Sequence, residues 1–249
     1  MVATIAKICR YPVKGLGAQS LPETALTPGA CLPEDRRFAL RPGSDADQEG
    51  WRPKAQLLTL MRHERLALLA TDYDQATATL TIRRNGRVVA KGQLTSITGR
   101  AVVEQFLAAF FKGEVPGIPK VIESPGTAFT DTQTPMVSLV NLASVRDIER
   151  IVHQPVHPIR FRGNFYLEDL PAWDEMGWVG RTLAIGDCRL EVVEPIERCA
   201  ATSVDPETGA REPNIPRALQ KGFGHCHCGV LARVTVGGKV RQGETVEPV

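Results

Sequence analysis

Ile196-Glu-Arg-Cys-Ala-Ala-Thr-Ser-Val-Asp-Pro-Glu-Thr-Gly209 places one thiol, Cys199, directly after Arg198 and six residues ahead of Asp205-Pro206. A neighbouring positive charge stabilises an ionised thiol, so Cys199 is a candidate metal ligand or nucleophile. The same residue also suits a small buried hydrophobe. Asp205-Pro-Glu-Thr-Gly209 likewise suits a tight connection between strands, with Pro at the second turn position and Gly behind it. The surrounding pattern has to decide between these readings.

Working outward, most of that pattern is β. Thr4-Ile-Ala-Lys-Ile-Cys-Arg-Tyr11 alternates so that Ile8 and Arg10 share one side of a strand and Cys9 takes the other. Thr77-Ala-Thr-Leu-Thr-Ile82 and Val88-Val-Ala90 flank Asn85-Gly86, a hairpin signal. Further strands are expected at 36–41, 66–70, 158–168, 182–185, 189–193 and 230–236, the last followed by a Gly237-Gly238 turn. Val103, Phe106, Leu107 and Phe110 recur at helical spacing over 100–111, and Lys112-Gly113 supplies a stop. Shorter helices are expected at 141–151 and 215–221. Residues 112–119, rich in Pro and Gly, read as a connector between two β-rich units. Long polar loops at 43–53 and 123–135 exceed the usual connection length and are candidates to line a site. Short strands separated by frequent turns imply a mainly β, α+β chain: a closed or nearly closed barrel with a few helices packed outside.

Composition removes several classes of function. The 249 residues are 43% hydrophobic, enough for one large core or two smaller ones. No apolar run approaches the roughly 20 residues of a membrane span. The N-terminal apolar stretch is too short for a signal peptide, so the expected location is the cytoplasm. Six cysteines are too sparse for a disulfide framework. A net charge of +2, without a basic run or an aromatic stripe, gives no drive toward nucleic acid, and an anion has to bind at a local site. His225-Cys226-His227-Cys228 offers zinc-type ligands. Strand alternation, however, sends the histidines to one face and the cysteines to the other, which argues against a structural zinc site.

Arg198-Cys199, followed by Thr202, Val204 and Asp205-Pro-x-Thr208-Gly209, resembles the signature of the MOSC domain, the molybdenum-cofactor sulfurase C-terminal module. Tyr11-Pro-Val-Lys-Gly15, Leu26-Thr-Pro-Gly29 and Asp35-Arg-Arg-Phe38 resemble the family's N-terminal β-barrel region. Arg160-Phe-Arg-Gly-Asn164 is similar to its Arg-Phe-Arg-Pro-Asn segment, and Trp178-Val-Gly-Arg-Thr-Leu-Ala-Ile-Gly186 to the strand that follows. The resemblance runs in the family's order from about residue 5 to 246 and leans toward its amidoxime-reducing branch, the mitochondrial component and its bacterial counterparts. It implies an N-terminal β-barrel-like domain at 1–115 and a β-barrel MOSC domain at 116–249.

The resemblance further implies a molybdenum-molybdopterin cofactor, with Cys199 as metal ligand and catalytic residue, and a chemistry independent of pyridoxal phosphate. Lys14, Gly15, Arg36, Arg162, Asn164, Arg198 and Asp205 are the implied cofactor-binding residues. A soft thiolate suits such a metal centre, and a phosphate calls for fixed cations or backbone amides. Gly15 stands where relatives often have Ser, Gly163 where they have Pro, and Glu197 where they often have Ser. The implied activity is reduction of small N-hydroxylated substrates. With no flavin, nicotinamide or iron–sulfur motif in these residues, electrons are expected from a separate donor protein. The alternative is a non-catalytic carrier of molybdenum cofactor or sulfur on Cys199. A thiol hydrolase using Cys199 with His225 or His227 and Asp205 is a third reading, weakened because no oxyanion-donating motif accompanies the thiol.

Overall fold

The computed structural model describes residues 2–44, 50–124 and 126–249; residues 45–49 of the loop expected at 43–53 lie outside it, as does residue 125 of the loop at 123–135. Along the chain run strands β1 (Ala3–Arg10), β2 (Gln19–Leu21), β3 (Glu23–Leu26), β4 (Phe38–Arg41), β5 (Ala70–Asp74), β6 (Thr79–Arg84) and β7 (Arg87–Gln93), then helix α1 (Ile97–Phe110). They are followed by β8 (Lys120–Glu123), β9 (Val137–Asn141), α2 (Leu142–Val152), β10 (Phe165–Glu168), β11 (Thr182–Ile185) and β12 (Cys188–Glu197). Last come α3 (Ile215–Phe223), β13 (His227–Val236), β14 (Gly238–Arg241) and β15 (Thr245–Pro248).

The chain is mainly β, and seven strands close a barrel in the order β1-β10-β9-β13-β12-β11-β15 and back to β1. The closing strand is the first one. Near its start β1 bonds β15 and β10, and toward its end it also carries β2. A bulge between Ile5 and Lys7 shifts the alternation, so Ile5 and Ile8 both enter the barrel core with Leu139, Phe165, Leu190 and Val230. Cys9 and Tyr11 face the opposite way, into a second cluster under α2 and α3 with Tyr166, Phe161 and Cys228.

Register brings the ends of these strands together. Ile8 lies opposite Phe165, Phe165 opposite Leu139, Leu139 opposite Val230, and Val230 opposite Pro195. Tyr11–Lys14 after β1, Arg162–Asn164 before β10 and Arg198–Cys199 after β12 therefore leave the barrel at the same end.

Outside the barrel, β5, β6 and β7 form an antiparallel meander whose Tyr73, Leu80, Ile82 and Ala90 pack on Val103, Leu107 and Phe110 of α1. Asn85-Gly86 turns the β6–β7 hairpin, both residues with positive φ. α1 starts three residues earlier than its periodicity suggests, because Ser96 Oγ accepts from Gly99 N at 3.0 Å and caps it. Two expected strands are corrected. At 66–70 the chain makes a short 3₁₀ turn over Glu64–Leu68, burying Leu66 and Leu69 at three-residue spacing, before β5 begins at Ala70. At 158–168 Pro158 opens another 3₁₀ turn, capped by His157 and ended by Arg162 in the left-handed region, so only Phe165–Glu168 is extended.

Cys9, Cys188 and Cys228 have no exposed surface, and burial raises all three thiols, Cys9 to about 11 and Cys228 to about 12. Each fills core volume. Replacing any one by Ala should lower the unfolding free energy by about 1 kcal/mol, measured by urea titration, with the fold retained.

Candidate functional site

At that end of the barrel lies a cleft with about 180 Å³ of free space. Lys14, Gly15, Arg36, Arg162, Asn164, Arg198 and Cys199 all line it, although they span nearly 190 positions of chain. Lys54, Asp131, Arg160, Glu197, Met61 and Phe161 line it as well.

Cys199 is half-buried and free, at the point where β12 gives way to a 3₁₀ turn over Ala200–Ser203. Its carbonyl accepts from the Thr202 amide at 3.1 Å and hydroxyl at 2.9 Å, fixing the backbone beneath the thiol. Arg198 runs the other way, inward: Nε donates to Cys228 O at 2.7 Å and Nη1 to Phe161 O at 2.8 Å. Gly229 makes room for it. A Cβ there would stand 2.4 Å from Leu139 O and 3.2 Å from Arg198 Nη2, and its φ of +77° puts an irregularity into the β12–β13 ladder.

Arg36 and Arg162 share one aromatic ring. Their guanidinium carbons sit 4.8 and 4.2 Å from the Tyr11 centroid, and Arg36 Nη2 donates to Arg162 O at 3.0 Å. Arg36 also pairs with Asp35, while Arg162 Nη1 donates to Leu16 O at 2.9 Å. Both have left-handed backbones, φ +51° and +50°, a conformation side chains adopt at a cost of order 1–3 kcal/mol and one that concentrates at functional sites. Burial, with Arg36 close by, pulls the Arg162 guanidinium down to about 10.

Lys14 is buried and committed, donating to Phe129 O at 2.7 Å and to Asp131 Oδ1 at 2.6 Å. Lys54 reaches the other oxygen of Asp131 at 3.2 Å. Burial would raise the Asp131 carboxyl, but the two ammonium groups, Lys14 first, outweigh it and hold it at about 2. Lys54 is lowered by burial and raised by the groups around it, Asp131 first, with a net rise.

Two of the residues implied by resemblance offer the cleft no free group. Asn164 lines it, yet its Oδ1 accepts from Ser138 N and Oγ, both at 3.0 Å, while Nδ2 donates to Cys9 O and Asp35 Oδ2. Asn164 ties β9, β1 and the Asp35 loop together. Asp205 does not line the cleft; its Oδ1 takes the amides of Glu207 and Thr208, and its Oδ2 takes Arg160 Nη2 at 2.7 Å. It supports Arg160 from behind. His225 and His227 are also absent from the lining: they stack on one another at 5.6 Å beside Trp173 and Phe223, on the face opposite buried Cys228. No histidine among the described residues therefore lines the thiol's cleft, which removes the base that the hydrolase reading requires.

Lys54, Asp131 and Arg160 were not singled out from sequence. Arg160 opens the Arg160-Phe-Arg-Gly-Asn164 segment, two residues before Arg162. Asp131 carried no local signal beyond the long polar loop at 123–135, and Lys54 none beyond standing next to the loop at 43–53.

The MOSC N-terminal beta barrel domain matches residues 2–116, and the MOSC domain matches residues 127–247. The chain belongs to the MOSC-domain family. A molybdenum cofactor sulfurase of Caenorhabditis elegans is 25% identical over 225 residues, covering 87% of this chain and 31% of that protein. The chain thus spans about a third of the length of that sulfurase. Human mitochondrial amidoxime-reducing component 1 is 24% identical over 262 residues, covering 90% of this chain and 73% of its own. A solved structure, the YUAD protein from Bacillus subtilis, aligns over 99% of this chain and 94% of that one with a TM-score of 0.47 and 11% identity. No helix among the described residues is long and apolar enough to cross a membrane.

Two of the departures from the MOSC pattern have local causes. A Cβ on Gly15, at φ +88°, would meet Leu58 O at 3.0 Å and Leu66 Cδ1 at 3.2 Å, so a serine there is strained and crowded. A Cβ on Gly163 would meet Val140 Cγ2 at 2.7 Å; its amide donates to Tyr166 Oη at 3.0 Å, which a proline could not do. Glu197 is exposed at the cleft mouth.

Removing the partner of buried Arg160 should be expensive. Asp205→Ala is expected to cost about 2–4 kcal/mol in urea unfolding at neutral pH. Asp205 and Asp131 both titrate below the usual carboxylate range. The stability they lend is therefore complete above the unfolded-state value of about 4 and is lost as pH falls through each lowered value, about 2 for Asp131. The Asp205→Ala penalty should shrink as pH falls through the lowered value of Asp205.

Proposed function

We propose that this MOSC protein binds molybdenum-molybdopterin in the cleft beside Cys199 and reduces small N-hydroxylated substrates. The observation that carries the reading is that a free thiol shares a cleft with three arginines that each keep one buried guanidinium nitrogen without a hydrogen-bond partner, Arg160 Nε, Arg162 Nη2 and Arg198 Nη2. Buried donors without acceptors are uncommon in folded proteins and fit an anionic guest. The residues present suit the group. Cys199 is a soft ligand for the metal, and Lys14, Arg36, Arg162 and Arg198 form a cationic seat for a phosphate. Molybdenum bound there would supply a two-electron centre for cleaving a substrate N–O bond.

The chain's own part is to bind and orient. Tyr11 keeps Arg36 and Arg162 side by side, Thr202 holds the backbone under the thiol, and Asn164 fixes three segments around them. Met61, Phe161 and Ile196 give the cleft an apolar wall against which a small substrate can shed water. Electrons come from a separate donor protein, and the free thiols suit a reducing cytoplasm.

Protein expressed in a cofactor-producing host should carry molybdenum and pterin, measured by metal analysis and pterin fluorescence. With a reconstituted donor it should reduce an N-hydroxylated substrate, and with NADH alone it should not. Cys199→Ala should keep the fold and lose the reduction. Full activity in Cys199→Ala, or wild type that never takes up molybdenum, would overturn the reading.

A further inference from the structure

The cleft holds more charge than its open donors express. Six cations line it, Lys14, Arg36, Lys54, Arg160, Arg162 and Arg198, against two carboxylates, Asp131 and Glu197. Arg36 and Arg160 are engaged by Asp35 and Asp205, which lie outside the lining. The two lysines are engaged within it, by the single carboxylate of Asp131, at 2.6 and 3.2 Å. That carboxylate already occupies what an incoming anion would need from Lys14.

We infer that Asp131 is a built-in competitor: it fills the lysine half of the anion seat and sets how strongly an outside anion must bind to hold the cleft. The inference rests on reading this cleft as a phosphate seat. Being covalently tethered, Asp131 competes at a high effective concentration, so a single-contact anion such as a carboxylate or chloride exchanges like for like and gains nothing. A phosphate carries close to two charges at neutral pH and three acceptor oxygens. After taking Lys14 from Asp131 it still has oxygens left for the guanidinium groups of Arg36, Arg162 and Arg198 that line the same cleft. Asp131 has room to yield. Its side chain is 54% exposed, whereas that of Lys14 is 9% exposed, so the carboxylate can leave into water while the lysine stays. Lys54 belongs to the N-terminal half and Asp131 to the MOSC half, so the pair also clasps the cleft's two sides when no anion is bound.

The test is isothermal titration of the cofactor-free full chain with inorganic phosphate at low salt and neutral pH, with heat unfolding used to confirm that each variant is folded. Asp131→Asn should bind phosphate about tenfold tighter than wild type, since one competing charge is gone. Asp131→Glu should restore wild-type weakness, and in a Lys14→Met background the Asp131→Asn gain should vanish. Phosphate affinity that falls or stays within twofold in Asp131→Asn overturns the inference, as does a gain that persists without Lys14. A wild-type chain that carries molybdenum and pterin but shows no gain in Asp131→Asn overturns this inference alone. A chain that shows the gain yet never takes up molybdenum leaves it standing and overturns the functional reading.

Discussion

Burying several like charges at one place is the constraint that the rest of the structure answers. Lys14, Arg160 and Arg198 are each no more than 9% exposed, and Arg36 and Arg162 press on a fully buried tyrosine ring. An uncompensated buried cation costs several kcal/mol, so each needs acceptors that water no longer provides. They come from distant chain segments: Leu16 O for Arg162, Phe129 O for Lys14, Phe161 O and Cys228 O for Arg198, and Ser203 O with Asp205 for Arg160. Every one of these contacts crosses the chain, so the cation cluster can form only once the barrel is closed and its connections are seated. The long connection between β8 and β9 follows from the same need, because it carries Phe129 and Asp131 to Lys14.

Barrel closure by β1 supplies the geometry. Without the pairing of β1 with β10, Tyr11 and Lys14 would have no fixed relation to Arg162 or Cys199. With it, three strand ends open side by side, and the first ten residues become as much a part of the barrel core as the last hundred. The Tyr11 ring then acts twice. One guanidinium reads it at 4.2 Å and the other at 4.8 Å, while its hydroxyl bonds Gly163 O and the Tyr166 hydroxyl beneath them. A single aromatic residue thus relates two cations that would otherwise repel.

How much of this could be read in the sequence depends on the range of the interaction that fixes it. The Asn85-Gly86 hairpin and the helix around Val103, Leu107 and Phe110 are set within ten residues and were legible. The strand expected at 66–70 was not, because Leu66 and Leu69 fit a 3₁₀ turn as well as a strand, and only packing against the first-unit core chooses between them. At the site, residue types in motif order located Lys14, Arg36, Arg162, Arg198 and Cys199. Motif order could not say which motif residues touch the cleft and which brace it. Asn164 and Asp205 belong to the second group, and that is visible only once the four side-chain hydrogen bonds of each are seen. Lys54 and Asp131 were illegible for a simpler reason: Lys54 gains its meaning from Asp131, 77 positions away, and Asp131 from Lys54 and Lys14 together.

Arg198 shows most clearly why adjacency along the chain is a poor guide to electrostatics. From sequence, its charge was the reason to suspect a thiolate at Cys199. In the structure the two side chains diverge at the end of β12, and Arg198 spends two of its donors on carbonyls in the interior. Lys54, which arrives from the other half of the chain, lines the same cleft as the thiol. Arg198 contributes differently. It is held rigidly under the cleft by Cys228 O and Phe161 O, in space that only a glycine at 229 leaves open, with one nitrogen still unspent. The arginine and the cysteine are thus neighbours in the motif because one strand end delivers both to the same cleft, the thiol at its mouth and the guanidinium in its floor.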